Sequence, residues 1–263
     1  MNTLGFIGLG NMGLALLKGV SSSSVLIFGY DVSPEKQNAV ENCGGTCLNS
    51  EAEIAQKCKY ILLGVKPQSA GEVLEKIKPE LTHDSVIISI CAGISAKFIR
   101  ERTSPNQKVI CVMPNTPMML GEGASALSSD SLTAPEETEF ARTLIGSCSP
   151  VVETISPDKM NEVIAINGSS PAFIYLFAKC VTDYAAQHKV EAESALRLFA
   201  QTLVGAGKML LESGASVDEL ISQVSSPGGT TVAGLQQLRE SGFQEAVKSA
   251  CEACTKRAYE LGK

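Results

Sequence analysis

Through the first 157 residues, short apolar runs alternate with segments of helical period. Residues 4–7, 25–30, 60–65, 86–90 and 109–113 are rich in β-branched or large aliphatic side chains, and each is soon followed by Gly, Pro or Asn. Strand-length runs of this kind, separated by helix-length segments, predict a parallel sheet with crossover helices. The serine run at residues 21–24 reads as a turn between the first helix and the second strand. The pattern changes near Ser156-Pro157. From Asp158 onward the apolar spacing is helical at 159–166, 171–188, 191–212, 217–224, 230–238 and 242–261. The expected architecture is an α/β, Rossmann-like, doubly wound domain over residues 1–157, joined to an all-α domain over 158–263. The helical half is small and apolar, so its helices are expected to pack against a second copy of the chain. Gly205 and Gly207 lie inside one of its helices, where each costs about 1 kcal/mol relative to alanine. Close helix–helix approach is the expected compensation.

Composition narrows the class of protein. The chain has 263 residues, 44% of them hydrophobic, and a formal net charge of −6, with no basic stripe to meet a nucleic-acid backbone. No signal peptide or membrane span is expected, because glycines break the N-terminal apolar run early; the reading is a cytoplasmic enzyme. The nine cysteines are an odd number placed mostly in apolar or helical stretches, Cys91, Cys111, Cys180 and Cys251 among them, which predicts reduced, buried thiols. Cys251 and Cys254 have CxxC spacing, but there is no second pair and the chain has only two histidines, so no metal is expected.

Two segments carry candidate chemistry. The first strand, ending at Ile7, runs into Gly8-Leu9-Gly10-Asn11-Met12-Gly13 and then a helical pattern, an arrangement that seats a pyrophosphate on a helix N-terminus. Asp31 ends the second apolar run eighteen residues after Gly13, the spacing of an acid that binds the adenosine ribose. The other strand-end loops are then expected to line the same nicotinamide dinucleotide site: Gly64-Val65-Lys66-Pro67, Cys91-Ala92-Gly93 and the loop holding Asn115. The second segment is Ser225-Ser226-Pro227-Gly228-Gly229-Thr230-Thr231, a turn feeding a helix. It reads either as a simple cap or as a site where a ligand carboxylate reaches unpaired amides, with the hydroxyls of Ser226, Thr230 and Thr231 available to a neutral polar atom of the same ligand.

These two segments, together with Val-Lys-Pro at 65–67, Met-Pro-Asn-Thr-Pro at 113–117 and Gly-Ser-Ser-Pro-Ala at 168–172, make the chain similar to the pyrroline-5-carboxylate reductases over nearly its whole length. The resemblance implies reduction of the cyclic imine Δ1-pyrroline-5-carboxylate to L-proline by NADPH, with NADH also accepted. It implies homodimers through the helical domain, which can assemble into rings. It places the substrate carboxylate on Gly228, Gly229 and Thr230 with help from Ser226, the Thr231 hydroxyl against the ring nitrogen, and Gln223 on the pocket wall. It also points to the loop after the second strand as a contact for the 2′-phosphate of NADPH, where Ser33 and Lys36 are available, and to a neutral polar position near Glu51. Asp31 argues the other way, since a carboxylate repels a 2′-phosphate but can bind a 2′-hydroxyl. Ser33 also reads as the N-cap of the next helix, with Pro34 at its first position. Lys66 reads either as a general acid or as a loop lysine whose backbone meets the cofactor.

Two other functions fit parts of the chain. The glycine segment also resembles the opening of the β-hydroxyacid dehydrogenases, in which a helix lysine, here Lys179, would be the acid/base group. That account gives the turn at 225–231 no role. The third reading is a nucleotide-binding regulatory protein without catalysis, which an activity assay separates from the other two.

Overall fold

The computed structural model describes residues 1–20 and 25–262, so the turn expected at residues 21–24 lies outside the described residues. The α/β half runs β1 (Thr3–Ile7), α1 (Asn11–Val20), β2 (Leu26–Tyr30), α2 (Pro34–Asn42), β3 (Thr46–Cys47), α3 (Glu51–Lys57), β4 (Tyr60–Leu63), α4 (Pro67–Ile77), β5 (Val86–Ser89), α5 (Ala96–Arg102), β6 (Lys108–Met113), β7 (Ala124–Ser128), α6 (Pro135–Gly146) and β8 (Val151–Thr154). The sheet order is β3-β2-β1-β4-β5-β6-β7-β8. Strand order therefore reverses between β1 and β4, and their carboxyl ends open the crevice in which such sheets bind ligands.

Burial explains the run-like sequence of the central strands. Every residue of β4 and β5 is buried, because helices cover both faces of the sheet. Alternate residues feed opposite cores. Phe6, Leu62, Ile88 and Ile110 pack with Leu16 and Leu17 of α1 and Leu144 and Ile145 of α6. Ile7, Ile61, Leu63, Ile87 and Val109 pack with Ile54 of α3, Leu74 of α4 and Phe98 and Ile99 of α5.

The all-parallel expectation needs correction at one edge. β7 pairs antiparallel with β6, and β8 then pairs parallel with β7. The link from β6 to β7 holds only a 3-10 segment at Thr116–Leu120 and Gly121 in the left-handed region, too little chain for a helical crossover. Nor does residues 159–166 form the expected α-helix. A 3-10 turn at Pro157–Lys159 ends where that stretch begins, and the stretch runs into a π-helical turn at Ile164–Gly168.

The remaining helices are α7 (Ser170–Gln187), α8 (Ala192–Glu212), α9 (Val217–Gln223), α10 (Thr230–Glu240) and α11 (Phe243–Leu261). The chain forms two compact units, one of Met1–Pro171 with Glu252–Lys263 and the other of Ala172–Cys251, a division that differs from the expected break after residue 157. Within the second unit Phe177 meets Phe199 edge-on at 5.4 Å between ring centres. Many of its large apolar side chains stay exposed, including Leu198, Val204, Leu210 and Leu211. A Cβ added to Gly205 or Gly207 would meet nothing within 4 Å, so the close helix approach expected to offset these glycines is not made within the chain.

One helix is long and apolar enough to cross a membrane by length and composition alone. It is the helical stretch of 24 residues Ile164–Gln187, which holds an 18-residue window of mean hydropathy 1.3. The π-helical turn extends α7 and brings it to that length. The cysteines divide as well: Cys58, Cys91 and Cys148 are buried, whereas Cys180 is exposed on α7. Burial pushes the Cys58 thiol up to about 12 and the Cys91 thiol up to about 11, which suppresses the reactive thiolate.

One buried charge braces the sheet and α6. Glu137 accepts from Lys108 Nζ at 2.8 Å and from the Ala134 amide at 3.0 Å, with Lys59 Nζ at 3.5 Å. Burial pushes its carboxyl up, but these hydrogen bonds and the two lysine charges outweigh that and hold it below the ordinary value of 4.5. A depressed folded pKa gives stability that is fully present above the unfolded value and lost as pH falls through the folded one. Glu137→Gln is therefore expected to lower stability by about 1–3 kcal/mol at neutral pH. In urea unfolding curves the gap from wild type should close as pH is lowered from about 5 to about 2.

Candidate active site

The glycine turn is shaped by close backbone approach on one side and open space on the other. Gly8 has φ +90°, and a Cβ there would lie 2.8 Å from the backbone of Gly64 at the end of β4. A Cβ on Gly13 would lie 2.5 Å from the Gly8 carbonyl oxygen, so turn and helix close on each other. A Cβ on Gly10, by contrast, would meet nothing within 4 Å. Helical bonding begins with Leu14 N donating to Gly10 O at 2.9 Å. The amides of Asn11, Met12 and Gly13 precede that bond and are the donors that a helix start leaves for an anion.

This turn opens on a cavity of about 410 Å³ bounded by Ile7, Gly8, Gly10, Asp31, Lys36, Glu51 and the loop Gly64-Val65-Lys66. Acids and bases alternate along its wall. Asp31 is 7% exposed, and its carboxylate accepts the Leu9 amide at 2.6 Å and the Ser33 amide at 2.8 Å. Lys36 Nζ stands 3.8 Å from the same carboxylate. Glu51, the first residue of α3, lies 3.6 Å from Lys76 Nζ, which is itself 2.9 Å from Glu72. Ser33 does hold the N-cap position with Pro34 after it, but its hydroxyl makes no capping bond. Lys66 is exposed at the N-cap position of α4, and its carbonyl accepts the Ser69 amide at 2.9 Å.

A second cavity, of about 340 Å³, lies at the carboxyl ends of β5 and β6 and reaches Cys91, Gly93, Cys111 and Met113. Cys91 Sγ donates to Val65 O at 3.2 Å and Leu63 O at 3.4 Å, tying two of the predicted cofactor loops together through Ala92's neighbour. Gly93 has φ +78°, and a Cβ on it would lie 2.7 Å from Ala258 O; one on Gly262 would lie 2.4 Å from Gly93 O. The end of α11 thus seats on this loop, backbone against backbone.

Asn115 accepts the Ala124 amide at 2.9 Å through Oδ1. Asn167, which the sequence reading passed over, donates through Nδ2 to Met113 O at 2.7 Å and Ala124 O at 3.0 Å. Its Oδ1 is buried with no hydrogen-bond partner among the described residues. The available signal was a lone amide in the apolar stretch Ile164-Ala165-Ile166, immediately before the Gly-Ser-Ser-Pro-Ala segment.

The turn at 225–231 lies in the second unit. Gly228 has φ +73°, and Gly229, although extended, would place a Cβ 2.9 Å from Ser226 O. Gly229 N donates to Ser226 O at 2.9 Å and closes the turn. Gly229 is the N-cap of α10 and no side chain caps that helix. Gln223 ends α9, and Gln223, Ser226, Gly228, Thr230 and Thr231 are all exposed around this helix start. Lys179, the alternative acid/base group, is on α7 in an exposed ion pair with Asp183 at 2.8 Å.

Comparison with known proteins gives a consistent result. Residues 157–261 match the family model described as pyrroline-5-carboxylate reductase dimerisation, and residues 3–93 match that of NADP oxidoreductase coenzyme F420-dependent. The chain is 36% identical to the pyrroline-5-carboxylate reductase of Pisum sativum, over 98% of this chain and 96% of the relative. It is 33% identical to that of Escherichia coli (strain K12), over 99% and 98%. Its fold is similar to the crystal structure of Plasmodium falciparum pyrroline carboxylate reductase with NADP bound, with a TM-score of 0.89, 32% identity, and coverage of 100% and 98%.

The open side of Gly10 makes a direct test. Gly10→Val would fill the space through which an anion approaches the start of α1, and the loss of cofactor affinity should be tenfold or more, roughly 1.4 kcal/mol. Calorimetric titration with NADPH measures the loss, and circular dichroism should show an unchanged fold.

Proposed function

The chain belongs to the pyrroline-5-carboxylate reductase family, and from that premise we propose how its own residues carry out the reaction. It is an NAD(P)H-dependent oxidoreductase that reduces the cyclic imine Δ1-pyrroline-5-carboxylate to L-proline, the last step of proline biosynthesis. NADP(H) is its cofactor, with NADH also accepted. When bound, the reduced nicotinamide supplies a hydride to the imine carbon. The glycine turn fits such a group: uncrowded at Gly10 and followed by amides at a helix start.

The observation that carries the substrate assignment is the uncapped start of α10 behind Gly228 and Gly229. Within the Gly228-Gly229-Thr230 turn the amides of Gly228 and Thr230 receive the substrate carboxylate, with the Ser226 hydroxyl beside them, while the Gly229 amide holds the turn closed on Ser226 O. Thr231 places its hydroxyl against the ring nitrogen, and Gln223 borders the pocket. A protonated imine already carries the proton that remains on the product nitrogen, so positioning does most of the catalytic work and no separate acid is required at that atom. Lys66 then acts as a loop residue whose backbone meets the cofactor. Ile7, Leu9, Gly64, Val65, Pro67, Cys91, Ala92, Gly93 and Asn115 shape the cofactor cleft, while Ser33 and Lys36 face the adenosine end.

The helical region from residue 158 onward pairs two chains, and rings of such dimers are the fuller assembly. The match to a dimerisation family over 157–261 and the exposed Leu198, Val204, Leu210 and Leu211 support a protein partner for this surface rather than lipid. A cytoplasmic enzyme follows from that reading. The dehydrogenase alternative is not favoured, because Lys179 is held in a surface ion pair.

Thr231→Ala is expected to lower turnover by about 10- to 100-fold, the cost of one oriented hydrogen bond to a group whose charge changes in the transition state, with little change in cofactor KM. Thr231→Ser should keep most of the rate. Steady-state NADPH oxidation with Δ1-pyrroline-5-carboxylate measures both, and unchanged turnover in the alanine variant would remove Thr231 from the mechanism. Leu210→Asp should convert the dimer to monomer in sedimentation velocity runs; a wild-type chain that sediments as a monomer would sink the pairing.

A further inference from the structure

We propose that Asp31 is a positioning residue for the glycine turn and not a ligand of the cofactor's ribose. The inference rests on the cofactor cleft assigned above, and it concerns what the acid at the end of β2 does there. Its side chain is almost wholly buried, and both oxygens already hold backbone donors: Oδ2 takes the Leu9 amide at 2.6 Å and Oδ1 takes the Ser33 amide at 2.8 Å. Both are charge-assisted hydrogen bonds, the strong kind, and the one from Leu9 joins segments twenty-two residues apart in sequence. The Gly8 amide adds a parallel tie to Tyr30 O at 3.0 Å, and Gln37 Nε2 donates to the Asp31 carbonyl at 2.8 Å. The end of β2 thus grips the turn on one side and the start of α2 on the other.

This geometry changes how the anion site works. Leu9 lies between Gly8 and Gly10, and its amide is the one donor of the turn that the protein's own carboxylate consumes. That leaves the phosphate to the amides after Gly10, at the start of α1. With Asp31 in place, the turn presents those amides in a fixed orientation; without it, the Leu9 amide loses its acceptor and competes for any anion that enters. The carboxylate also does not act as a bare negative charge toward a 2′-phosphate. Two amides and the Lys36 ammonium, 3.8 Å from Oδ2, face it, and Lys36, with 43% of its side chain exposed, has room to turn from Asp31 toward an incoming phosphate. Choice between NADPH and NADH therefore passes to Lys36, while Asp31 serves both cofactors alike.

The test compares Asp31→Ala, Asp31→Asn and Lys36→Ala with wild type by fluorescence titration of NADPH and NADH and by steady-state kinetics. For Asp31→Ala the Kd and KM of both cofactors should rise by the same factor, about tenfold, while kcat at saturating cofactor stays within about twofold. Asp31→Asn, which keeps one acceptor, should fall between the two, and it carries the test should the alanine variant fail to fold. Lys36→Ala should weaken NADPH alone. A loss confined to NADH in the Asp31 variants, or a shift of the NADPH-to-NADH ratio toward NADPH, would make Asp31 a ribose ligand and overturn the proposal. Unchanged affinity for both cofactors in Asp31→Asn and Asp31→Ala would overturn it as well. Wild-type protein that binds neither cofactor would bring down the cleft assignment itself, and this role with it.

Discussion

An α-helix leaves its first amides without acceptors, and two helix starts in this chain keep them that way behind glycine turns. At α1 the turn is Gly8-Leu9-Gly10, and at α10 it is Gly228-Gly229, so the residue before each helix, Gly10 or Gly229, has no side chain with which to cap it. Three other helices are capped by a serine, whereas α2 and α4 also go without a side-chain cap. Ser50 caps α3, Ser95 caps α5, and Ser216 forms a full capping box with Glu219 on α9. The chemistry expected of the family, a dinucleotide at one turn and a carboxylate at the other, draws on this one feature of helix geometry twice.

Much of this could be read from the residues alone, and the reasons are local. The central strands announce themselves because burial on both faces forces nearly continuous apolar runs, as in Tyr60-Ile61-Leu62-Leu63. The long helices α7, α8 and α11 follow from their period. The two edge strands and β7, next to one edge, did not show. β3 is two residues long, β7 is the small and polar Ala-Ser-Ala-Leu-Ser, and β8 is only half covered, so none carries a distinctive pattern. The reversal of β7 lies in the shortness of the link after β6, which composition does not mark.

Site residues divide along the same line. Glycines at 8, 13, 228 and 229 were legible because the backbone there leaves no room for a Cβ or takes a positive φ, and Gly10 because the sequence pattern includes it. What surrounds them was not, since it depends on which donors happen to face which acceptors. Asp31 has the right spacing for a ribose acid, yet its carboxylate lies against Leu9 and Ser33. Asn167 gave almost no signal, although it bridges Met113 and Ala124 at the edge of the cleft. The glycines inside α8 were read as places where helices touch, and within the chain no neighbour approaches them.

The seating of the end of α11 on the loop at Gly93 has a consequence for how the protein is made. The first compact unit takes residues 1–171 and then waits for residues 252–263 to complete it. During synthesis the nucleotide-binding half leaves the ribosome some eighty residues before the segment that backs its own loop, so the whole second unit emerges first. A chain arrested or cut anywhere in that interval carries every strand of the sheet but leaves Gly93 without the backbone of Ala258 and Gly262 against it. Backing of the Gly93 loop is thereby tied to the arrival of residues 252–262, not to the order in which the motifs appear in the sequence.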